Sequence, residues 1–265
     1  MKIICLIKFI PDVEDFTYDY ERNVLIREKM NQILNPEDAC AVAFALSVKR
    51  YYPNTQIEVI TMGPKNVTPK LEELLRLDVD HATLITDLAF IGSDTYATSR
   101  VLAKVLEQHK SDLILTGTHT LDGDTSHVPA QIAQWLGLPH LSNVISINMN
   151  TMDSGRLELN VEHDQEIMSF ALKLPAVLSL QKEAPYKLPY VRYEDLNKEV
   201  SQRLESISCL ECGFKKEEVG FEGSKTKVIK TFVKTLSKKD KQEVTLDEAG
   251  IQVVYDFLKE KGVLS

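Results

Sequence analysis

Leu113-Ile114-Leu115-Thr116-Gly117-Thr118-His119-Thr120-Leu121-Asp122-Gly123-Asp124-Thr125-Ser126-His127-Val128-Pro129 is the stretch that sets the reading of the chain. Leu113 to Leu115 is a short apolar run, the mark of a buried strand, and it ends at Thr116-Gly117. A helix is expected from about Ser126 to Leu136, stopped by Gly137 and Pro139. Thr125 or Ser126 caps it, leaving Pro129 in the first turn. Gly123 is free to take positive φ in the turn between the two elements. Unpaired N–H groups at such a helix start, together with the helix dipole, form an anion site. The loop is acidic rather than lysine-rich, so a phosphate there has to be met by backbone N–H and hydroxyl groups. Asp122 and Asp124 then fix the loop or bond a ribose. Taken alone, D-G-D-T reads equally well as an ordinary turn with a helix cap.

The same strand-then-helix rhythm extends on both sides. Ile3 to Ile7 is a continuous apolar run, suited to a strand covered on both faces. Asn35-Pro36 opens a helix, with Asn35 as N-cap and proline where no N–H is missed. Ala39, Val42, Ala43, Leu46 and Val48 form its buried stripe. Ile57 to Ile60 is the next strand, closed by Met62-Gly63-Pro64. A helix near 68–77 leads to a strand at Ala82–Ile85, and Ser93 or Asp94 caps a helix running to about His109. This alternation predicts right-handed βαβ units and a parallel sheet, an α/β fold. Ligands of such sheets sit outside the carboxyl ends of the strands, here Lys8 to Pro11, Thr61 to Pro64 and Thr116 to Val128.

Beyond residue 140 the pattern changes. Val144 to Met149 and Leu157 to Val161 alternate like a hairpin, and Leu174 to Leu180 reads as a further strand. From Lys215 to Lys241 lysines are frequent and the core-forming pattern is weak, apart from Val228-Ile229 and Phe232-Val233. Leu246-Asp247 then starts a short helix with Ile251, Val254 and Leu258 at helical spacing, ending at Gly262. The division expected is an α/β domain over 1–212 and a linker with a helix over 213–265. That helix either packs on the parent domain or forms an arm over a partner subunit.

The chain has 265 residues, a formal net charge of −8 and 26% charged residues, so it reads as globular. Its acidic balance disfavours nucleic acid and anionic membranes as partners. No apolar run approaches the roughly 20 residues needed to span a bilayer. The apolar start is followed by Asp12, Glu14 and Asp15 without a small-residue cleavage site, which suits a first strand better than a signal segment. The expected location is cytoplasmic. There, Cys5, Cys40, Cys209 and Cys212 are free thiols, and the Cys209-x-x-Cys212 spacing lacks a second pair for a metal.

Asn35-Pro36-Glu37-Asp38, Met62-Gly63-Pro64 and Asp122-Gly123-Asp124-Thr125 occur together in this order, with Lys2 to Pro11, Leu25-Ile26-Arg27-Glu28 and Leu174-Pro175-Ala176-Val177. In these segments the chain resembles the beta subunit of electron-transferring flavoproteins over essentially its whole length. The resemblance implies an adenine-nucleotide-hydrolase-like (Rossmann-like) α/β domain and a C-terminal arm embracing an alpha subunit that carries FAD. Conventional members hold AMP in the beta subunit. Members that bifurcate electrons hold a second FAD there and exchange hydride with NAD(H), with ferredoxin or flavodoxin and a flavin dehydrogenase as further partners. Asp122-Gly-Asp-Thr-Ser126 and the Asp87 to Ser99 stretch look like the bifurcating branch. By transfer onto matching positions, Leu6, Asn35, Pro36, Glu37, Asp38, Met62 and Gly117 to Val128 (Thr118, Asp122, Gly123, Asp124, Thr125, Ser126 and His127 among them) line the nucleotide site. Phe90, Gly92, Ser93 and Thr95 lie near the flavin and NADH.

Three positions depart from the family pattern. Leu88 replaces an arginine, His163 replaces another in a V-E-R pattern, and Gln181 to Tyr190 alters the loop that docks acyl-CoA dehydrogenases. The altered loop points to another flavin dehydrogenase, a lactate dehydrogenase being the first choice. The alternatives are a conventional carrier with structural AMP, a stand-alone nucleotide hydrolase and a scaffold subunit with a degenerate site. The hydrolase would need an S-G-G-x-D-S or G-x-x-G phosphate loop at a strand-to-helix turn; none of those turns carries one, and the G-x-x-G of Gly220 to Gly223 stands in the tail.

Overall fold

A computed structural model describes residues 1–12, 17–19, 24–26, 31–164, 166–227 and 243–263. In chain order the elements are β1 (Lys2–Leu6), β2 (Phe9–Pro11), β3 (Thr17–Asp19), β4 (Val24–Ile26), β5 (Gln32–Leu34), α1 (Pro36–Tyr51), β6 (Gln56–Met62), α2 (Thr68–Arg76), β7 (His81–Ile85), α3 (Thr95–Gln108) and β8 (Leu113–Gly117). They continue with α4 (His127–Leu136), β9 (His140–Asn148), β10 (Arg156–His163), β11 (Glu166–Lys173), β12 (Ala176–Leu180), β13 (Leu204–Ile207), α5 (Gly220–Gly223) and α6 (Glu248–Glu260). Two compact units result, Met1–Lys227 and Val228–Ser265. No described helix is long and apolar enough to cross a membrane.

Among the described residues, nine strands form the main sheet, in the order β11-β10-β9-β12-β8-β1-β6-β7-β13. Every pairing from β9 through to β13 is parallel, while β10 and β11 are antiparallel additions. The central strands have the apolar runs that double burial demands: Ile3, Ile4 and Cys5 are fully buried, as are Ile57, Val59 and Ile60. Odd positions of β1 face a core cluster shared with α1 and α2. Even positions face a second cluster, shared with α3, α4 and the 209–219 segment. Each fully buried aliphatic side chain in these layers stabilises the fold by about 1.5–3 kcal/mol.

Chain order fixes the ligand edge. From β1 the chain winds outward through β6 and β7, then crosses back to β8 on the other side of β1. The gap between β1 and β8 is therefore the switch point of the sheet, where consecutive crossovers part and leave a crevice.

The start of α1 staples this gap. The buried Asp38 carboxylate accepts the N–H of Lys8, just after β1, at 2.8 Å, and the N–H of Gly117, at the end of β8, at 2.7 Å. Glu37 accepts the N–H of His119 at 2.7 Å, and the Asn35 amide donates to the His119 carbonyl at 2.9 Å. Asn35 holds the N-cap position, yet its side chain makes no cap hydrogen bond, because it is spent on the neighbouring loop. Gly117 is needed for contact: a Cβ there would stand 2.7 Å from Asp38 Oδ1 and from Glu37 Cβ.

The structure corrects several expectations. The compact unit extends to Lys227 rather than ending at 212, because Phe214 and Val219 pack in the second core cluster. The hairpin after residue 140 gains a third strand, β11, exposed along almost its whole length. The turn before α4 places positive φ on Asp124 (47°) and Ser126 (55°), not on Gly123. Ser126 precedes the helix without a side-chain cap. Val228-Ile229, Phe232-Val233 and Arg27-Glu28 lie outside the described residues. In the second unit, α6 begins with Asp247 accepting the Gly250 N–H at 2.8 Å, and its Ile251, Val254 and Phe257 are exposed.

Two substitutions test the staple. Gly117→Ala is expected to cost about 1–3 kcal/mol through overpacking. Gly123→Ala, whose Cβ would meet only Thr120 Oγ1 at 3.7 Å, is expected to stay within about 0.5 kcal/mol; urea unfolding of the purified protein reads both. Asp38→Asn leaves one backbone N–H without an acceptor and is expected to cost about 1–3 kcal/mol. Burial pushes the Asp38 carboxyl from 3.8 up to about 7, although the Gly117 and Lys8 N–H groups pull the other way. Between these values the folded protein keeps a proton that the unfolded chain has released, so stability from this group declines as pH rises through the window. The cost of Asp38→Asn, measured at steps from about pH 5 to about pH 8, is expected to shrink.

Candidate nucleotide site

An open cavity of about 670 Å³ occupies the switch point, reaching from the ends of β1 and β8 to the end of β6. Of the residues singled out in the sequence, Leu6, Asp38, Met62, Phe90, Gly92, Ser93, Thr95, Gly117, Thr118, Gly123, Thr125, Ser126, His127 and Val128 line it. Asn35, Pro36, Glu37, Asp122 and Asp124 do not. Asn35 and Pro36 belong to the staple behind the wall. Asp122 is engaged by Lys8 Nζ at 2.7 and 2.8 Å, and Asp124 is 78% exposed. Burial opposes ionisation of Asp122, but Lys8 and the Thr120 hydroxyl outweigh it and hold the carboxyl below its ordinary range.

The starts of two helices meet at the cavity. Those of α3 (Thr95, Thr98) and α4 (His127, Val128) both contribute to the lining. Asp94 caps α3, its Oδ1 accepting the Ala97 N–H at 2.9 Å, which decides between Ser93 and Asp94. Ser93 instead donates its hydroxyl to the Phe90 carbonyl at 2.8 Å. Desolvation works against the Asp94 charge, yet the Ala97 and Thr226 donors keep its carboxyl below the usual range. The α4 start has no side-chain cap, so its first N–H groups remain open to an anion.

Several lining residues carry no motif. Ile60 and Met62 share one face of β6 by the two-residue period, and Thr95, Thr98 and Leu102 share one face of α3; both spacings were readable once the rim was known. Thr226 is different. It comes from the lysine-rich tail and lines the cavity through its hold on Asp94, with N–H and Oγ1 at 2.7 and 2.8 Å from Oδ2. Gly220 makes that wall possible, since a Cβ there would fall 2.1 Å from the Ala89 carbonyl oxygen. Of the three departures, Leu88 is 83% exposed beside the rim, His163 lies on the β10–β11 turn, and Tyr190 of the altered loop is 96% exposed.

The arrangement suits a ligand that carries both an anionic group and flat apolar rings. Helix N–H groups and the hydroxyls of Thr95, Thr98, Thr118 and Thr125 serve the first. Leu6, Met62, Phe90, Leu102 and Val128 serve the second.

The sequence matches the family of the electron transfer flavoprotein domain over residues 22–199. It is 33% identical over 235 residues to the electron transfer flavoprotein subunit beta of Thermoanaerobacterium thermosaccharolyticum, covering 87% of each chain. It is similarly 33% identical to the caffeyl-CoA reductase-Etf complex subunit CarD of Acetobacterium woodii, over 88% of this chain and 87% of that one. Protein FixA of Azotobacter vinelandii is 32% identical, over 87% of this chain and 83% of its own length. With the parallel sheet and the cavity at its switch point, these matches place the chain in the electron transfer flavoprotein beta-subunit family.

Proposed function

We propose that the chain pairs with an alpha subunit in the cytoplasm and holds an adenine nucleotide, FAD, in the switch-point cavity. The pair would move electrons between NAD(H), a ferredoxin or flavodoxin, and a flavin dehydrogenase of lactate or acyl-CoA type. The observation that carries this reading is the cavity itself. Two helix starts meet at it, hydroxyls line it, and apolar side chains from Leu6 to Val128 stand in the same wall, so it offers both an anion site and surface for flat rings. The likeness to CarD, named for a caffeyl-CoA reductase complex, supports service to a dehydrogenase of that general class.

The residues present fit such a group. A bound flavin would supply the redox chemistry, and the chain contributes binding, orientation and exclusion of water. Leu6, Met62, Phe90 and Val128 offer apolar surface to ring systems, while the α4 N–H groups would meet the diphosphate. Exposed Tyr190 and Tyr193, 96% and 91% accessible, suit the dehydrogenase contact, and the exposed apolar face of α6 suits the alpha subunit. The second reading is a conventional carrier holding AMP. The same α4 start supports it, because a monophosphate needs no more than that corner.

Isolation of the native heterodimer, with its nucleotides identified by mass and absorbance, separates the two: two FAD for the first, one FAD and one AMP for the second. Gly123→Val tests the corner. The chain has room for the new side chain, so a loss of retained nucleotide reflects the ligand; affinity is expected to fall about tenfold or more, on the order of 1.4 kcal/mol, and full retention would count against the site. Deletion of residues 240–265 is expected to lower recovery of the alpha subunit in co-purification, and normal recovery would refute the arm.

A further inference from the structure

The cavity wall is short of positive charge. Among the described lining residues Lys8 is the one fixed cation, and Asp122 neutralises it at 2.7 Å. Asp94 adds negative charge to the same wall, and so does Asp38 once it ionises near 7. A diphosphate entering this space meets helix N–H groups but no free lysine or arginine.

His119 lies on that wall, and its surroundings give its two ring nitrogens different tasks. Its backbone is fixed by Glu37 and Asn35. Its Nδ1 stands 3.2 Å from Glu37 Oε1, an oxygen on a side chain only 4% exposed that has no hydrogen bond of its own. Its Nε2 is 4.0 Å from Asp124 Oδ1, on an exposed side chain that can swing away. The charged and titratable groups around the imidazole are therefore Glu37 and Asp38 from α1, Asp124 and the Lys8–Asp122 pair from the loops, and His127 from the start of α4.

A neutral imidazole has one N–H. If it serves Glu37 through Nδ1, then Nε2 turns a lone pair toward an anionic ligand. Only the imidazolium donates on both sides. We propose that His119 is a positioning residue that, held by Glu37, takes up one proton as the cavity binds a phosphate-bearing nucleotide and donates from Nε2 to that phosphate. This rests on the reading of the cavity as a nucleotide site. It also supplies the positive charge that the wall otherwise lacks.

The experiment measures the affinity of the full-length, nucleotide-stripped chain for FAD, with AMP in parallel, at about pH 6 and about pH 8.5 on either side of the imidazole range, in wild type and His119→Gln. The FAD diphosphate is a diester and does not titrate there, so its binding reports the protein alone. Across the interval, wild-type affinity for FAD is expected to fall roughly tenfold more than that of His119→Gln, whose remaining slope reports the Asp38 carboxyl, raised to about 7. Calorimetry in buffers of different ionisation enthalpy is expected to register close to one proton more taken up by wild type than by His119→Gln at the higher pH. Equal pH slopes in the two proteins, or no proton uptake, would overturn the assignment of His119 while leaving the nucleotide site standing. Failure of wild type to bind either nucleotide at any pH would overturn the site reading, and the inference with it.

Discussion

A single carboxylate holds the mouth of the sheet together. The switch point of a parallel sheet is a place where neighbouring strands have no connecting helix to tie their ends, so the crevice that admits a ligand is also a mechanical weakness. Asp38 spans it, accepting one N–H from the chain leaving β1 and another from the end of β8. The geometry is demanding. Gly117 has no room for a side chain, and Glu37 and Asn35 are committed to the loop that follows. Everything proposed for the cavity depends on this clamp, since the positions of Thr118, His119 and the turn into α4 all follow from it.

The clamp also gives the Asn35-Pro36-Glu37-Asp38 motif a meaning that the sequence did not reveal. A helix start following a strand reads naturally as a ligand site, because its N–H groups are unpaired and its first turn is acidic. Here the acidic side chains point back into the protein and bind strand ends. Sequence carries no sign of which way such carboxylates face, and only the sheet order, with β1 beside β8, sets the direction. The same order accounts for Asn35 leaving its capping role.

The parallel core was legible because burial on both faces leaves an unbroken apolar run, as in Ile3 to Ile7 and Ile57 to Ile60, and because helix boundaries carry local chemistry. Asp94 and Asp247 act as caps, and Gly137 ends α4 in the left-handed conformation. Elements held by backbone pairing rather than burial were harder. β11 is exposed on both faces and so shows no alternation to detect. The tail from 213 to 227 hid its packing because Phe214, Val219 and Thr226 are isolated among lysines and glutamates; their partners lie more than a hundred residues away, at Arg100 and Asp94. In the turn before α4, glycine was the natural candidate for positive φ, yet Asp124 and Ser126 adopt it. Aspartate tolerates that region through local hydrogen bonding, and the result leaves Gly123 as open space at the cavity rather than as a hinge.

The central claim is that nucleotide phosphate is held by amide hydrogens at the start of α4. Hydrogen exchange of the backbone amides of residues 125–128, compared between nucleotide-loaded and nucleotide-stripped protein, tests it most directly. The account predicts marked slowing at these amides on loading, while the amides of β11 exchange alike in both states. Unchanged exchange over 125–128 in protein that demonstrably retains its nucleotide would contradict it, since the phosphate would then be held elsewhere.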